Sequence, residues 1–372
     1  MLGIAVALLS SAFDGPGAQE MPLRPRLDAA ADTNDWEVYF DHGLERLDRD
    51  RSEASAAFYW ASRLDPTRAE PLFARWAIFW IKDLKRFVKY LREDKATLEA
   101  RDVHIADSLR MWAFRRNPFV HQGLLMAIYA RLPGGYSGDI VTTALFAYAR
   151  ADFVTAVDRF GVAIAKNPKR NAYLRFVRAA AFVGMKQKDS AVAELSQLLT
   201  YLRAAEQGEF VPFYNSKELL EYAVGRVHAE RLDFAEASNA FGRALAENAS
   251  FAPAHYALGA MAQVRKDWEK ALLEYSLAVE LDPGEVEARL AYAKALYYER
   301  RPAEGINQVK EAIALEPFYA ESYLILGALY DSVDDVKGAR AAYEQYLALA
   351  PKKGAVGIKK AQARLKELGV GN

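Results

Sequence analysis

The chain of 372 residues contains no cysteine. Thiol nucleophiles, thiolate zinc sites, disulfides and lipid anchors attached through Cys are therefore excluded. Neither sign of charge is in excess, with 49 Lys+Arg against 49 Asp+Glu, so the basic footprint of a nucleic-acid-binding protein is missing. The apolar run LGIAVALLSSAF at 2–13 falls short of the about 20 residues that a membrane-spanning helix takes. Signatures of chemistry are missing too: there is no G-x-x-x-x-G-K-[ST], no G-x-G-x-x-G and no H-E-x-x-H. PGGYSGD at 133–139 fails as a nucleophile elbow because Asp139 stands where the second Gly of G-x-S-x-G is required. The five histidines are scattered singly, and His104 with Asp107, three residues apart on a helix, is too small a set to hold a metal. No catalytic residue, metal or cofactor is expected.

What is present is the balance of a soluble folded protein, 52% apolar and 26% charged. Residues 2–13 have the length of the apolar core of a secretory signal, with Ser10, Ala12, Gly17 and Ala18 as small residues near a cleavage point, although no Lys or Arg precedes the run. Export to a bacterial periplasm or envelope is the expectation, with 1–34 as leader and flexible lead-in.

The C-terminal half repeats every 34 residues. Gly225, Gly259, Ala293 and Gly327 form one column, and Ala237, Ala271, Gly305 and Ala339 a second. Phe241, Tyr275, Val309 and Tyr343 form a third, Ala244, Ala278, Ala312 and Tyr346 a fourth, and Ala249, Pro283, Pro317 and Pro351 a fifth. Small residues let two antiparallel helices approach to 8–10 Å, the aromatic fills the space beside the crossing, and proline stops the second helix. The spacing predicts helix pairs over 218–251, 252–285, 286–319 and 320–353. The same spacing recurs in Ala54, Phe58, Ala61 and Pro66 and in Ala156, Phe160, Ala163 and Pro168, predicting pairs over 35–68 and 137–170. Residues 171–204 read as a further pair one place out of register, 205–217 as a connection, and 354–372 as a capping helix and tail.

LGAMAQVRKDWEKALLEYSLAVELDP at 258–283 resembles the tetratricopeptide repeat, with its early small residue, A-x-x-x-F-x-x-A and closing proline. The resemblance implies an all-α fold, an α-solenoid of antiparallel helix pairs wound as a right-handed superhelix. It also implies a concave groove lined by the first helix of each pair and used to bind a peptide or partner protein. By register those groove positions are Tyr222, Arg226, Tyr256, Gln263, Lys294, Tyr297, Tyr298, Leu324 and Asp331. The family subtype that clamps a C-terminal carboxylate uses Lys and Asn at set places. Here those places hold Tyr222 and Arg226, Tyr256 and Ala260, Leu290 and Lys294, so that clamp is not expected.

Residues 69–136 depart from the pattern. PLFARWAIFWIKDLKRFVKYL at 71–91 mixes Phe73, Trp76, Phe79, Trp80, Phe87 and Tyr90 with basic residues. This is either a membrane-surface face, which would make the chain a membrane-peripheral adaptor, or a helical stripe of core residues. The core reading is preferred, and a protein scaffold is the expected function ahead of an adaptor or an enzyme of unrecognised type.

Overall fold

A computed structural model of the chain describes residues 21–81, 100–119, 139–169, 171–204, 216–352 and 357–369. These contain seventeen helices and no strand. The leader at 2–13, most of the 205–217 connection and all but the last residue of PGGYSGD lie outside the described residues, as does the second half of 71–91. The helices pair antiparallel as an α-solenoid, and the chain divides into two compact units. One takes the described parts of Met1–Thr67 and Ala262–Asn372, the other is Arg68–Met261.

The middle unit holds α3 (Ala69–Ile81), α4 (Ala100–Arg116), α5 (Ile140–Ala149), α6 (Phe153–Lys166), α7 (Leu174–Gly184), α8 (Lys188–Ala204), α9 (Lys217–Glu230), α10 (Phe234–Glu247) and all but the last turn of α11 (Ala252–Val264). Neighbours in sequence are neighbours in space: α3 packs on α4, α5 on α6, α7 on α8 and α9 on α10, with α8 on α9 joining successive pairs. The column residues are the core, since Ala156, Phe160, Ala237, Phe241 and Ala244 are all buried. Phe73 and Trp76 of the aromatic stripe are buried as well, so these two rings are core and not a membrane face. Two carboxylates are buried with arginines: Glu221 accepts from Arg203 at 2.8 Å and Arg243 at 2.9 Å, and Glu194 from Arg175 and Arg178, both at 2.9 Å. Such pairing is what makes a buried charge tolerable.

The other unit is built from both ends of the chain. It holds α1 (Trp36–Arg46), α2 (Arg51–Leu64), α12 (Trp268–Leu281), α13 (Val286–Tyr298), α14 (Pro302–Leu315), α15 (Ala320–Asp331), α16 (Val336–Leu349) and α17 (Gly357–Glu367). The periodicity alone put α1–α2 with the N-terminal repeats. In the structure this pair docks on the turns that follow α14 and α16. Arg63 donates to Glu316 at 2.9 Å in a buried ion pair, and Trp60 meets Phe318 edge-on at 5.2 Å. The Asn34 amide donates to the Ala348 carbonyl, and the Lys352 N–H to the Asp32 carboxylate. Residues 22–33 are strapped onto the pair: Trp60 Nε1 donates to the Pro22 carbonyl, and Arg24 donates to the Tyr39 hydroxyl while lying over the Trp60 ring.

Two local devices recur through the repeats. The small-residue column is a seat for the aromatic column: a Cβ added at Gly327 would stand 2.6 Å from the Tyr343 ring, and one at Gly43, one place off the column spacing, would stand 2.5 Å from Phe58. Gly225 meets Phe241 in the same way. The second device ends six of the first helices. Ala151, Lys186, Leu232, Lys266, Arg300 and Asp334 have φ between +58° and +63°. The next N–H donates to the carbonyl five residues back, as in Asp267 to Ala262 and Arg301 to Leu296. That is the Schellman closure. The following Asp then caps the second helix, as Asp152, Asp267 and Asp335 do for Thr155, Lys270 and Gly338.

Candidate binding face

The groove positions transferred by register sit on first helices, and the structure sorts them by what each side chain already holds. Gln263 and Asp331 occupy one repeat position, twelve residues before the aromatic column. Gln263 accepts the Tyr275 hydroxyl at 2.9 Å, and Asp331 accepts the Tyr343 hydroxyl at 2.8 Å. Burial pushes both tyrosines above their ordinary pKa, and for Tyr343 the Asp331 charge adds to the shift. Where the column residue has no hydroxyl, at Phe241 and Val309, the partner position holds Ala229 and Tyr297. Gln263 and Asp331 therefore serve the packing of their own repeats. Asp331 also accepts from Arg364 of the capping helix at 2.9 Å, and Leu324 packs in the cluster formed with that helix.

Tyr222 and Arg226 are engaged from within the middle unit. Tyr222 is only 3% exposed, and its hydroxyl donates to the Arg115 carbonyl at 2.7 Å. Arg226 donates to the Arg116 carbonyl at 2.8 Å. These are carbonyls at the C-terminal end of α4, where a helix leaves acceptors without intrahelical partners. Phe114 and Phe119 both stack on Phe176 of α7, with centroids 5.9 and 5.8 Å away. Tyr222 and Arg226, expected to line an open groove, hold the end of α4 in this structure. The reason was out of reach of register transfer, because 69–136 carries no repeat signature to place it. Tyr256 is partly buried.

Three candidates remain presented to solvent together. Lys294, Tyr297 and Tyr298 lie at i, i+3 and i+4 of α13, hence on one face. Tyr297 is 43% and Tyr298 54% exposed. The Tyr298 ring stacks flat on Trp268 at 3.9 Å and 13°, and Tyr297 stands edge-on to Tyr298 at 5.3 Å and 80°. Lys294 lies 3.9 Å from Glu321 of α15. Burial raises the Glu321 carboxyl above its ordinary pKa, opposed by Lys294 and by Lys360 of α17. Sequence reasoning omitted Trp268, which sits at the start of a second helix and not on a first one. Its signal was the aromatic of VRKDW in a turn whose counterpart, RLDF, carries Phe234.

Among the described residues no cluster of three or more His, Asp or Glu could hold a metal ion. No helix there is long and apolar enough to cross a membrane. His104 and Asp107 lie in α4, but their side chains are outside those described.

No family model matches the chain, and no curated protein does. Solved structures of helical-repeat proteins are similar over part of it. YrrB, described as a TPR protein with an unusual peptide-binding site, is 21% identical, covers 56% of this chain and 97% of its own, and gives a TM-score of 0.44. The C-terminal part of a TPR repeat-containing protein from Cytophaga hutchinsonii is 14% identical over 60% of this chain and 81% of its own, with a TM-score of 0.45. MamA from Desulfovibrio magneticus is 20% identical over 48% and 94%, with a TM-score of 0.40. The fold assignment rests on the chain's own helix pairs and columns.

Proposed function

We propose that this chain, a tetratricopeptide-type solenoid of antiparallel helix pairs, is a non-catalytic scaffold that holds a segment of a partner protein against the face of α13. The observation that carries the reading is the joint exposure of Lys294, Tyr297 and Tyr298, when other groove positions are tied to their own repeats or to α4. Tyrosines supply rigid contact area with a polar tip, and interface hot spots are enriched in them. A lysine beside them adds a point charge for a carboxylate. Export remains part of the proposal, carried by the composition of 2–13, and fractionation of a C-terminally tagged chain with N-terminal sequencing tests it.

The test of the binding face is cross-linked affinity capture from the native cell. Wild type is compared with a Lys294→Ala, Tyr297→Ala, Tyr298→Ala variant and with Arg226→Lys as the control for the α4 end. A partner lost only by the α13 variant supports the reading. Loss with Arg226→Lys and retention by the α13 variant moves function to the α4 end.

A further inference from the structure

We infer that residues 22–34 are a latch. Seated, they hold the N-terminal helix pair closed on the last repeats, and released, they let that closure open.

The closure is thin. α1 and α2 pack on each other, and they meet the C-terminal repeats at the turns after α14 and α16. The meeting is sealed by the Arg63–Glu316 ion pair and by the Phe318 ring, edge-on to Trp60 at 5.2 Å. A buried ion pair adds little net stability, because the desolvation of both charges offsets their attraction. One ring contact adds only a small increment. Closed and open states therefore lie near enough in free energy for a third element to decide between them.

The strap is that element, because it touches both sides. Trp60 Nε1 donates to the Pro22 carbonyl at 3.1 Å, and the Arg24 guanidinium lies 4.9 Å from the Trp60 centroid and 5.1 Å from that of Tyr39. Arg24 also donates to the Tyr39 hydroxyl at 2.8 Å and to the Thr33 carbonyl, which folds the strap back on itself. The ring that meets Phe318 is thus the ring that the strap holds. Leu27 of the strap and Phe318 of the repeats pack against one cluster, formed by Tyr39, Tyr59, Trp60 and Leu64. Farther along, the Asn34 amide donates to the Ala348 carbonyl at 2.9 Å, and Asp32 accepts the Lys352 N–H at 2.6 Å. The segment is bonded to the pair at its start and to the repeats at its end.

Its attachment suits release. Residues 21–28 are neither helix nor strand, and Met21 and Leu23 on either side of Pro22 are 60% and 93% exposed. Cation–π contacts and single hydrogen bonds at such a surface are individually weak and hold only in concert. Coupling of this kind is reciprocal: freeing the strap opens the closure, and opening the closure frees the strap. Opening brings Trp60, Arg63 and Glu316, all buried in the closed state, into water.

The experiment uses the full chain, whose lack of cysteine lets Leu23→Cys carry a single nitroxide. The mobility of that label reports the strap. Hydrogen exchange of α2 and of 346–352 reports the closure, since helices of 11 and 14 residues are marginal once undocked, and exchange of α9 and α10 reports the rest of the fold. Arg24→Ala should mobilise the label and speed exchange in both closure segments about tenfold, the equivalent of about 1.4 kcal/mol, with α9 and α10 unchanged. Arg26→Ala, at an exposed place on the same strap, should change neither. Glu316→Ala should mobilise the label from the far side, and Arg63→Met with Glu316→Leu should return it to the wild-type spectrum. A label freed by Arg24→Ala while α2 and 346–352 exchange as before overturns the inference, and so does a label that stays slow in Glu316→Ala. Exchange that rises equally in α9 and α10 overturns it too, since that is general unfolding and not the opening of a latch.

Discussion

Six residues with positive φ close the first helices of their repeats, and none is glycine or asparagine. A left-handed conformation costs an L-residue roughly 1–2 kcal/mol, and glycine in its place gives part of that back to greater freedom in the unfolded chain. Lys266→Gly, at an exposed turn, is therefore expected to stabilise the fold by about 0.5–1 kcal/mol, read as a higher urea midpoint at unchanged slope. A lower midpoint would mean that the lysine stem contributes packing that outweighs the strain. Glu321 gives a second test. Its carboxyl pKa is raised in the fold, chiefly by burial. The fold therefore favours the protonated form, and ionisation weakens it as pH rises through the folded pKa. Glu321→Gln should melt above wild type at pH 7, and the gap should close as pH falls below the ordinary glutamate value. A gap of constant size across that range would show that charge is not the cause.

At the scale of the element, the repeat columns were legible because each has one packing reason. A small residue must sit under an aromatic, and a proline must follow the second helix. Gly225 against Phe241 and Gly327 against Tyr343 read the same in sequence and in space. The left-handed column at 232, 266, 300 and 334 is equally periodic, but its residues are Leu, Lys, Arg and Asp, and no side-chain type announces it. The fate of Tyr222 and Arg226 was hidden for a different reason: their partners are main-chain carbonyls of α4, which any sequence would supply. The Phe114 and Phe119 rings hold that helix end in place. Phe119→Ala is expected to cost about 3 kcal/mol, the usual loss for a buried phenyl ring. Hydrogen exchange should then show 109–116 and the facing turns of α9 losing protection together. Loss confined to 109–116 would mean that α9 stands without it.

For the whole molecule, a solenoid is ordinarily a sum of neighbour contacts. The unit assembled from Met1–Thr67 and Ala262–Asn372 departs from that rule. No periodicity could reveal this, since the repeat columns govern contacts within and between consecutive pairs only. The contact is held at Arg63 and Glu316, both largely buried. Glu316→Ala strands the arginine charge and should destabilise this unit by about 3–5 kcal/mol, while the paired change Arg63→Met with Glu316→Leu should come out near neutral. Differential scanning calorimetry would separate these cases, and equal losses in the two variants would contradict the electrostatic account.

The Arg63–Glu316 pair also sets a clock. The two residues are 253 positions apart, and translation at about 5–20 residues per second separates their emergence by roughly 13–50 s. Throughout that interval the nascent N-terminal pair waits with the Trp60 face and a positive charge uncovered, and the last repeats alone can relieve it. Emergence of the repeat that carries Glu316, more than the growth of any earlier repeat, is then the event that completes this part of the fold.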